Sequence, residues 1–494
     1  MAKKGSVTLF LALVLSLILS LFSASLESAK MAAARTQILN SVDIGLYSLF
    51  GQYEKTLLKD YDLFFLDGSC GGGTLKLASV YDNMEAYITP VLKQNGQKLT
   101  LERGGFSGYR LATDENGEVF YQQVIRYMKD TLGSHGVQLL LDKINGTKQK
   151  IENAEEEGKK LEEGNALESY ETEMNSAEQN SQAALEEAQQ NAENEQVSED
   201  TFTSGPPAVQ VENPIPVIKE VRKMGILDLV IPSGKSVSSG SITASSLVSG
   251  RTLQKGMELA EKIDSDDSYT SQLLFQQYLT DKLGNFLEPS DSALKYQMEY
   301  LLFGKTDDVS NLKEMAGKLL LIREGINLVH LLSDGGKRAQ VQALAAAVAS
   351  AFLVPPASVI IEAALILCWS FAESILDVRE LFAGGKVPLV KNASNWQLSL
   401  GNLSNLLGVM DSERKSSEDG MTYEEYLNVF LMTQSKEKKL KRGMDMIEMS
   451  IRTKTGNESF LLDSCIESIE ASLTVTANKK KTFQVTKLYS YDQA

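Results

Sequence analysis

The strongest constraint on this chain lies near its start. Lys3 and Lys4 precede an uncharged run of 22 residues, Gly5–Leu26, dense in Leu, Val, Ile and Phe, and the first acid is Glu27. As a helix the run measures about 33 Å, enough to cross a hydrocarbon layer about 30 Å thick. Gly5, Val7, Leu11, Leu15, Ile18 and Phe22 are its anchor positions. Positive charge before the span and none inside it puts the N-terminus in the cytoplasm and the bulk of the chain outside a cell membrane crossed once. A cleaved signal peptide is the competing reading, because Lys3-Lys4 also form an n-region and Ser23-Ala24-Ser25 a small-residue cleavage site. Retention is favoured by a run longer than a usual h-region and by helix-favouring sequence that continues beyond it. From Ser28 to Asp60 there is no proline, and Leu39, Val42, Leu46, Leu49 and Tyr53 recur at helical spacing. A helix unbroken from Val7 to Asp60 is about 80 Å long, weakened at Gly45 and Gly51. Its apolar stripe needs a partner: this chain's own later helices, or another subunit's helix in self-association.

The formal charge of −16 excludes a nucleic-acid binder that relies on global positive charge. It is concentrated: residues 151–200 hold 16 acids against 2 lysines, so the rest is nearly neutral. This acidic stretch, 147–198, has too few large apolar residues for a seam or a core. It reads as a solvated helix or disordered tether, followed by a linker in which Pro206-Pro207 and Asn213-Pro214 forbid helix.

The chain divides into four regions: an anchor, 1–27; a long helix with a small mixed α+β region, 28–146; the tether and linker, 147–216; and a helical domain with a terminal β-hairpin, 217–494. In the second region, alternation at Thr74–Val80 and at Glu118–Val124, after the Asn116-Gly117 turn, signals β structure. Val217–Pro232 reads as a short helix and strand. Helical spacing marks 269–286, 292–303, 311–333, 337–353, 357–381, 422–433 and 438–452. The run Ala339–Phe371 carries one charge, Glu362, but Pro355-Pro356 cuts it into pieces too short to span, so it predicts core helices. Ser468–Thr476 and Thr482–Tyr489 alternate as a hairpin. The fold class is mainly α with minor β.

Catalytic signatures fail on context. Gly234-Lys235-Ser236 ends like a P-loop, but Leu229 stands where its first glycine belongs. Ser292 and Lys295, Ser333-Asp334-Gly335 and Lys454-Thr455-Gly456 have the order of penicillin-recognising serine enzymes, with Ser292 at a helix start, but the last motif falls in a polar turn. Leu63–Gly71 nearly reproduces the metal loop of von Willebrand A domains, with Gly71 in place of the final serine; two oxygen ligands hold Mg²⁺ poorly. His135 and His330 make no zinc cluster; His330 reads as an interior residue. Cys368 reads as packing. Cys70 and Cys465, in polar turns, are free to pair or not, since sequence leaves their separation open. No cofactor, metal or nucleic acid is expected.

Gly5-Ser6, the apolar span, Ala32-Ala33, Arg35, Gln37, Leu39-Asn40, Asp43 and Gly45-Leu46 resemble the start of TadE- and TadG-type pilus-assembly proteins, the pilin-like minor membrane proteins of tight-adherence (Tad or Flp) pili. Tyr61-Asp62-Leu63-Phe64, Tyr300–Lys305, Leu331–Asp334, Ala372-Glu373-Ser374 and Lys386-Val387-Pro388 resemble more closely a Gram-positive family of unknown function found beside Tad genes. Prepilin processing expects a glutamate five residues after the glycine, and here Phe10 stands there; this argues against a major filament subunit. The resemblance implies an anchored, pilin-like accessory protein that binds pilus-assembly proteins or minor pilins outside the membrane and is no enzyme, with Arg35, Gln37, Asn40 and Asp43 as the pilin-like motif. The alternatives are a surface or secreted hydrolase with an unrecognised site, or an adhesin or sensor domain unrelated to pili.

Overall fold

A computed structural model describes residues 2–94, 98–162, 167–176, 179, 183, 211–259, 263, 266–352, 354–478 and 481–491. The elements, in chain order, are α1 (Ala2–Phe50), α2 (Lys55–Tyr61), β1 (Leu66–Asp67), α3 (Leu77–Lys93), β2 (Leu99–Leu111), α4 (Asp114–Glu162), α5 (Ile215–Arg222), α6 (Ile226–Val230) and α7 (Tyr269–Lys282). Then come α8 (Gln297–Phe303), α9 (Asp308–Ser333), α10 (Gly335–Ala351), α11 (Ser358–Ala383), α12 (Leu406–Val409), α13 (Tyr423–Met432), α14 (Lys436–Thr455), β3 (Cys465–Ala477) and β4 (Lys481–Ser490). The class is mainly α with a minor sheet. The chain forms two compact units, each assembled from separate stretches: unit 1 from Met1–Gly133, Ala244–Tyr278 and Leu440–Ala494, unit 2 from Ser134–Thr243 and Leu279–Lys439. This partition cuts across the linear boundaries at 146 and 216 that composition indicates.

Unit 1 is built on an antiparallel four-stranded sheet in which β3 is central: β2 pairs with one side, β4 and the short β1 with the other. Ala34, Ile38, Val42, Leu46 and Leu49 of α1 bury against Val80, Met84, Ile88 and Leu92 of α3 and against Ile466, Ile469, Leu473 and Val475 of β3. The apolar stripe thus finds its partner within its own chain. Val42, Leu46 and Leu49 are fully buried, Leu39 packs at the margin of this core, and Tyr53 lies beyond the helix, edge-on to Phe64 at 5.5 Å.

Three expectations are corrected here. The long helix stops at Phe50 rather than continuing to Asp60; Gly51–Glu54 turn the chain, and the Glu54 carboxylate caps α2 by accepting the Leu57 amide at 2.7 Å. The alternating stretches Thr74–Val80 and Glu118–Val124 contribute to helices, not strands. The strands of this region are the two-residue β1 and the longer β2, whose Gly104, Gly105 and Gly108 depress strand propensity. A Cβ at Gly104 would lie 2.3 Å from Leu473 and 2.4 Å from the Tyr81 hydroxyl, so close packing excludes the residue types that announce a strand.

Unit 2 is helical around α11. The apolar span Pro355–Ala383 is long enough to cross a membrane, yet 72% of its most apolar window is buried by protein, and it packs against α9 and α10. Val217–Pro232 holds two short helices, α5 and α6, without the expected strand. The acidic stretch departs from a solvated tether in its described part: Ile151, Ala154 and Tyr170 are buried. A Cβ at Gly158 of α4 would lie 2.2 Å from the Leu321 carbonyl, and one at Gly325 of α9 2.3 Å from that of Ala154. Paired glycines let the two backbones touch. Residues 184–210 of the expected tether and linker lie outside the described residues.

Candidate functional site

Val7, Leu11, Leu15, Ile18 and Phe22 all lie on α1 and are more than half exposed, with Gly5 in the same helix. The most apolar window of this segment has a mean hydropathy of 2.5 and none of it is buried. The helix is therefore long and apolar enough to cross a membrane. Of the pilin-like motif, Arg35 and Asn40 are exposed, buried Gln37 donates through Nε2 to the Leu92 carbonyl at 3.3 Å, and Asp43 pairs with Lys487 at 2.9 Å.

The catalytic look-alikes are dispersed. Ser292 and Lys295 precede α8 instead of starting a helix. Ser333 ends α9, its hydroxyl donating to the Val329 carbonyl at 2.7 Å. Lys454 belongs to unit 1 and pairs with Asp60 at 2.7 Å. The Asp67 carboxylate accepts from the Ser69 amide and hydroxyl and the Gly71 amide at 2.6–2.9 Å, which closes the turn. Among the described residues no group of three or more His, Cys, Asp or Glu could hold a metal ion. Cys70, Cys368 and Cys465 are free; Cys465 is buried at the head of β3, not in a polar turn. Burial pushes the Cys368 thiol up to about 12, so it is no nucleophile at neutral pH. The side chain of His135 lies outside the described residues.

The densest polar chemistry is in the interior of unit 2. Arg323 of α9 donates to Asp377 of α11 through Nε at 3.0 Å, and its Nη2 stands 2.8 Å from the same carboxylate oxygen as an ion pair. Lys391 reaches the other Asp377 oxygen at 2.8 Å and Glu373, one turn away on α11, at 2.6 Å. Asn327 and Gln397 donate to Asp377 at 3.1 and 2.8 Å, and the amides of Gln397 and Leu398 to Glu373 at 2.9 and 2.8 Å. Two cations meet two carboxylates, and almost every oxygen position is filled. Burial alone raises Asp377, but Arg323 and Lys391 outweigh it and hold it below its usual value; for Glu373 burial dominates and the carboxyl is raised.

Beside this network lie both tryptophans of the chain, Trp369 and Trp396, edge-to-face at 5.3 Å. Both indoles donate to the Leu398 carbonyl, and the Lys337 ammonium stands 4.9 and 4.6 Å from the two rings. His330 stacks on Trp396 at 5.3 Å. Burial holds its imidazole below the usual value against the pull of Asp334, 3.6 Å away, so it is neutral at pH 7.

Lys391 and His330 also line a cleft of about 460 Å³ with Ala154, Ile326, Val329 and Val390. Its wall is mostly apolar, and among the described residues His330 Nε2 has no hydrogen-bond partner. The Lys391 charge is already neutralised, and the Ser333 hydroxyl is occupied by backbone. The geometry suits holding an apolar group more than reacting with one.

Sequence reasoning did not single out Arg323, Asp377 or Lys391. The available signal was charge inside apolar helical periodicity: Glu373 and Asp377 fall one turn apart on a helix face otherwise made of core residues. Glu373 does lie in one of the stretches resembling a known family.

Fold and site together define a mainly helical protein with an exposed apolar stem and a charge-stitched interior. Residues 206–477 match a family of unknown function (DUF5702). The match covers more than half of the chain, and the chain belongs to that family. No curated protein and no solved structure matches it.

Proposed function

We propose that this chain is a single-pass, membrane-anchored accessory protein, pilin-like in its N-terminal architecture, that binds other subunits of a Tad- or Flp-type pilus or a related surface structure outside the membrane. Its N-terminus is cytoplasmic, and it works without catalysis. The observation that carries this reading is α1 itself: one helix whose first half is apolar and uncovered while its second half is the core of unit 1. Uncovered apolar area of that size calls for lipid or protein around it, and a stem fixed in a folded domain places that domain against the membrane. The closed Asp67 turn and the neutralised Lys391 agree with a binding role.

Complementation tests it. In a strain lacking the gene, the full-length chain restores surface filaments, Ser292→Ala and Asp67→Ala do so equally, and a chain without residues 5–26 does not. Normal filaments in the null strain would overturn the proposal.

A further inference from the structure

We propose that the stem-side end of unit 1 is a binding site for anionic lipid headgroups, built from Lys30, Lys98 and Lys481. The inference rests on the membrane-anchor reading and adds the chemistry of the surface that the anchor brings close.

Three contacts lay β4 along α1: Lys481 to Glu27 at 3.0 Å, Lys487 to Asp43 at 2.9 Å, and the Tyr491 hydroxyl to the Phe50 carbonyl at 2.6 Å. Between Glu27 and Phe50 a helix rises about 34 Å, and between Lys481 and Tyr491 a strand rises about 33 Å. The two advances agree, so β4 runs beside the helix along its whole length. Lys481, the first residue of β4, is therefore level with Glu27, the first residue after the uncharged run. The Asn478 amide donates to the Lys98 carbonyl at 3.2 Å, which brings the start of β2 to that level. Lys30 lies one helical turn beyond Leu26, about 6 Å along the axis.

The polar layer between hydrocarbon and water is about 5–8 Å thick, so all three ammonium groups fall within or beside it. Lys30, Lys98 and Lys481 are exposed. Two carboxylates lie at this end, Glu27, which Lys481 engages, and Glu102, which accepts from the Thr476 hydroxyl at 2.5 Å; among the described residues Lys30 and Lys98 pair with neither, so the cations outnumber the acids. Arg35 adds positive charge about 13 Å from Leu26, near the limit of screening at moderate salt. A local excess of cations at this level, in a chain of formal charge −16, complements a negative bilayer surface.

The test uses the full-length chain in lipid nanodiscs, with Cys70→Ser and a fluorophore at Thr482→Cys, read by a quencher attached to lipid headgroups. Quenching is expected to be about fivefold stronger in discs rich in phosphatidylglycerol than in pure phosphatidylcholine. It should fall to the neutral-lipid level in 0.5 M NaCl and in Lys30→Gln/Lys98→Gln/Lys481→Gln, and rise in Glu27→Gln. Equal quenching in both lipids, or indifference to salt and to the lysines, overturns the inference while the anchor stands. A chain that fails to enter discs at all overturns the anchor reading instead, as does a Leu15→Cys probe that reports water.

Discussion

Glu299 is a carboxyl without a cation. It is fully buried in unit 2, where Oε1 accepts from the Phe286 amide at 2.8 Å and the Tyr423 hydroxyl at 2.6 Å, and among the described residues Oε2 has no hydrogen-bond partner. Burial raises its pKa from 4.5 to about 7. Because the folded value exceeds the unfolded one, its contribution is complete below the unfolded pKa and is lost as pH rises through about 7. The loss is roughly 3 kcal/mol. Glu299→Gln keeps an oxygen for both donors and no longer ionises, so its unfolding midpoint should stay nearly flat from pH 5 to 8 while the native protein's falls; parallel profiles would refute this. Asp377 titrates in the opposite sense. Asp377→Asn leaves Arg323 and Lys391 without a shared counter-charge in the interior and should cost about 3–5 kcal/mol. Tryptophan emission measures it directly, because both indoles adjoin this network and the chain has no others. A loss below about 1 kcal/mol would mean that the pairing carries no weight.

Among the elements, the crossing of α4 and α9 sets two terms against each other. Alanine is favoured over glycine inside a helix by about 1 kcal/mol, so on propensity alone Gly158→Ala and Gly325→Ala should stabilise. A Cβ at either position would meet a backbone carbonyl at 2.2–2.3 Å, and backbone cannot rotate away as a side chain can. The helices must part, with a net loss of about 1–3 kcal/mol for the first substitution and little more for the second, because one separation accommodates both. Additive losses in urea unfolding would show that the sites are independent. The same pair is one reason residues 151–162 read as solvated: beside Ile151, the contact is made by Gly158 and Ala154, which leave little hydrophobic signature. Periodicity did disclose α9, α11, α13 and the β3–β4 hairpin, where apolar spacing and stop signals agree. It did not disclose β2, where Gly104 lets Tyr81 and Leu473 approach and Gly108 lets Leu259 do so. The pairing of β2 with β3 joins residues more than 350 positions apart, and no local pattern encodes it. Ending the chain at Ser464 should therefore undo unit 1 far from the cut: hydrogen exchange at Ile38, Val42 and Leu46 should lose its protection once β3 is gone.

For the whole molecule, the stem and the fold draw on α1 differently. From Ala34 onward one face of it, Ala34, Ile38, Val42, Leu46 and Leu49, is part of the unit 1 core, whereas the described apolar residues from Val7 to Leu26 are exposed. Exposed side chains without special contacts change stability by about 0.5 kcal/mol or less when removed. A chain beginning at Glu27 should then keep the thermal midpoint of the full-length protein in the same detergent, yet leave the membrane fraction entirely. Extending the deletion to Ser41 takes out Ala34 and Ile38 as well, two side chains no more than 2% exposed. At about 2–5 kcal/mol for a large aliphatic residue, that deletion should collapse unit 1. The step between the two deletions is the measurement. A midpoint that already falls at Glu27 would mean that the span packs on the rest of the chain; one that survives to Ser41 would mean that Ala34 and Ile38 add nothing to the core.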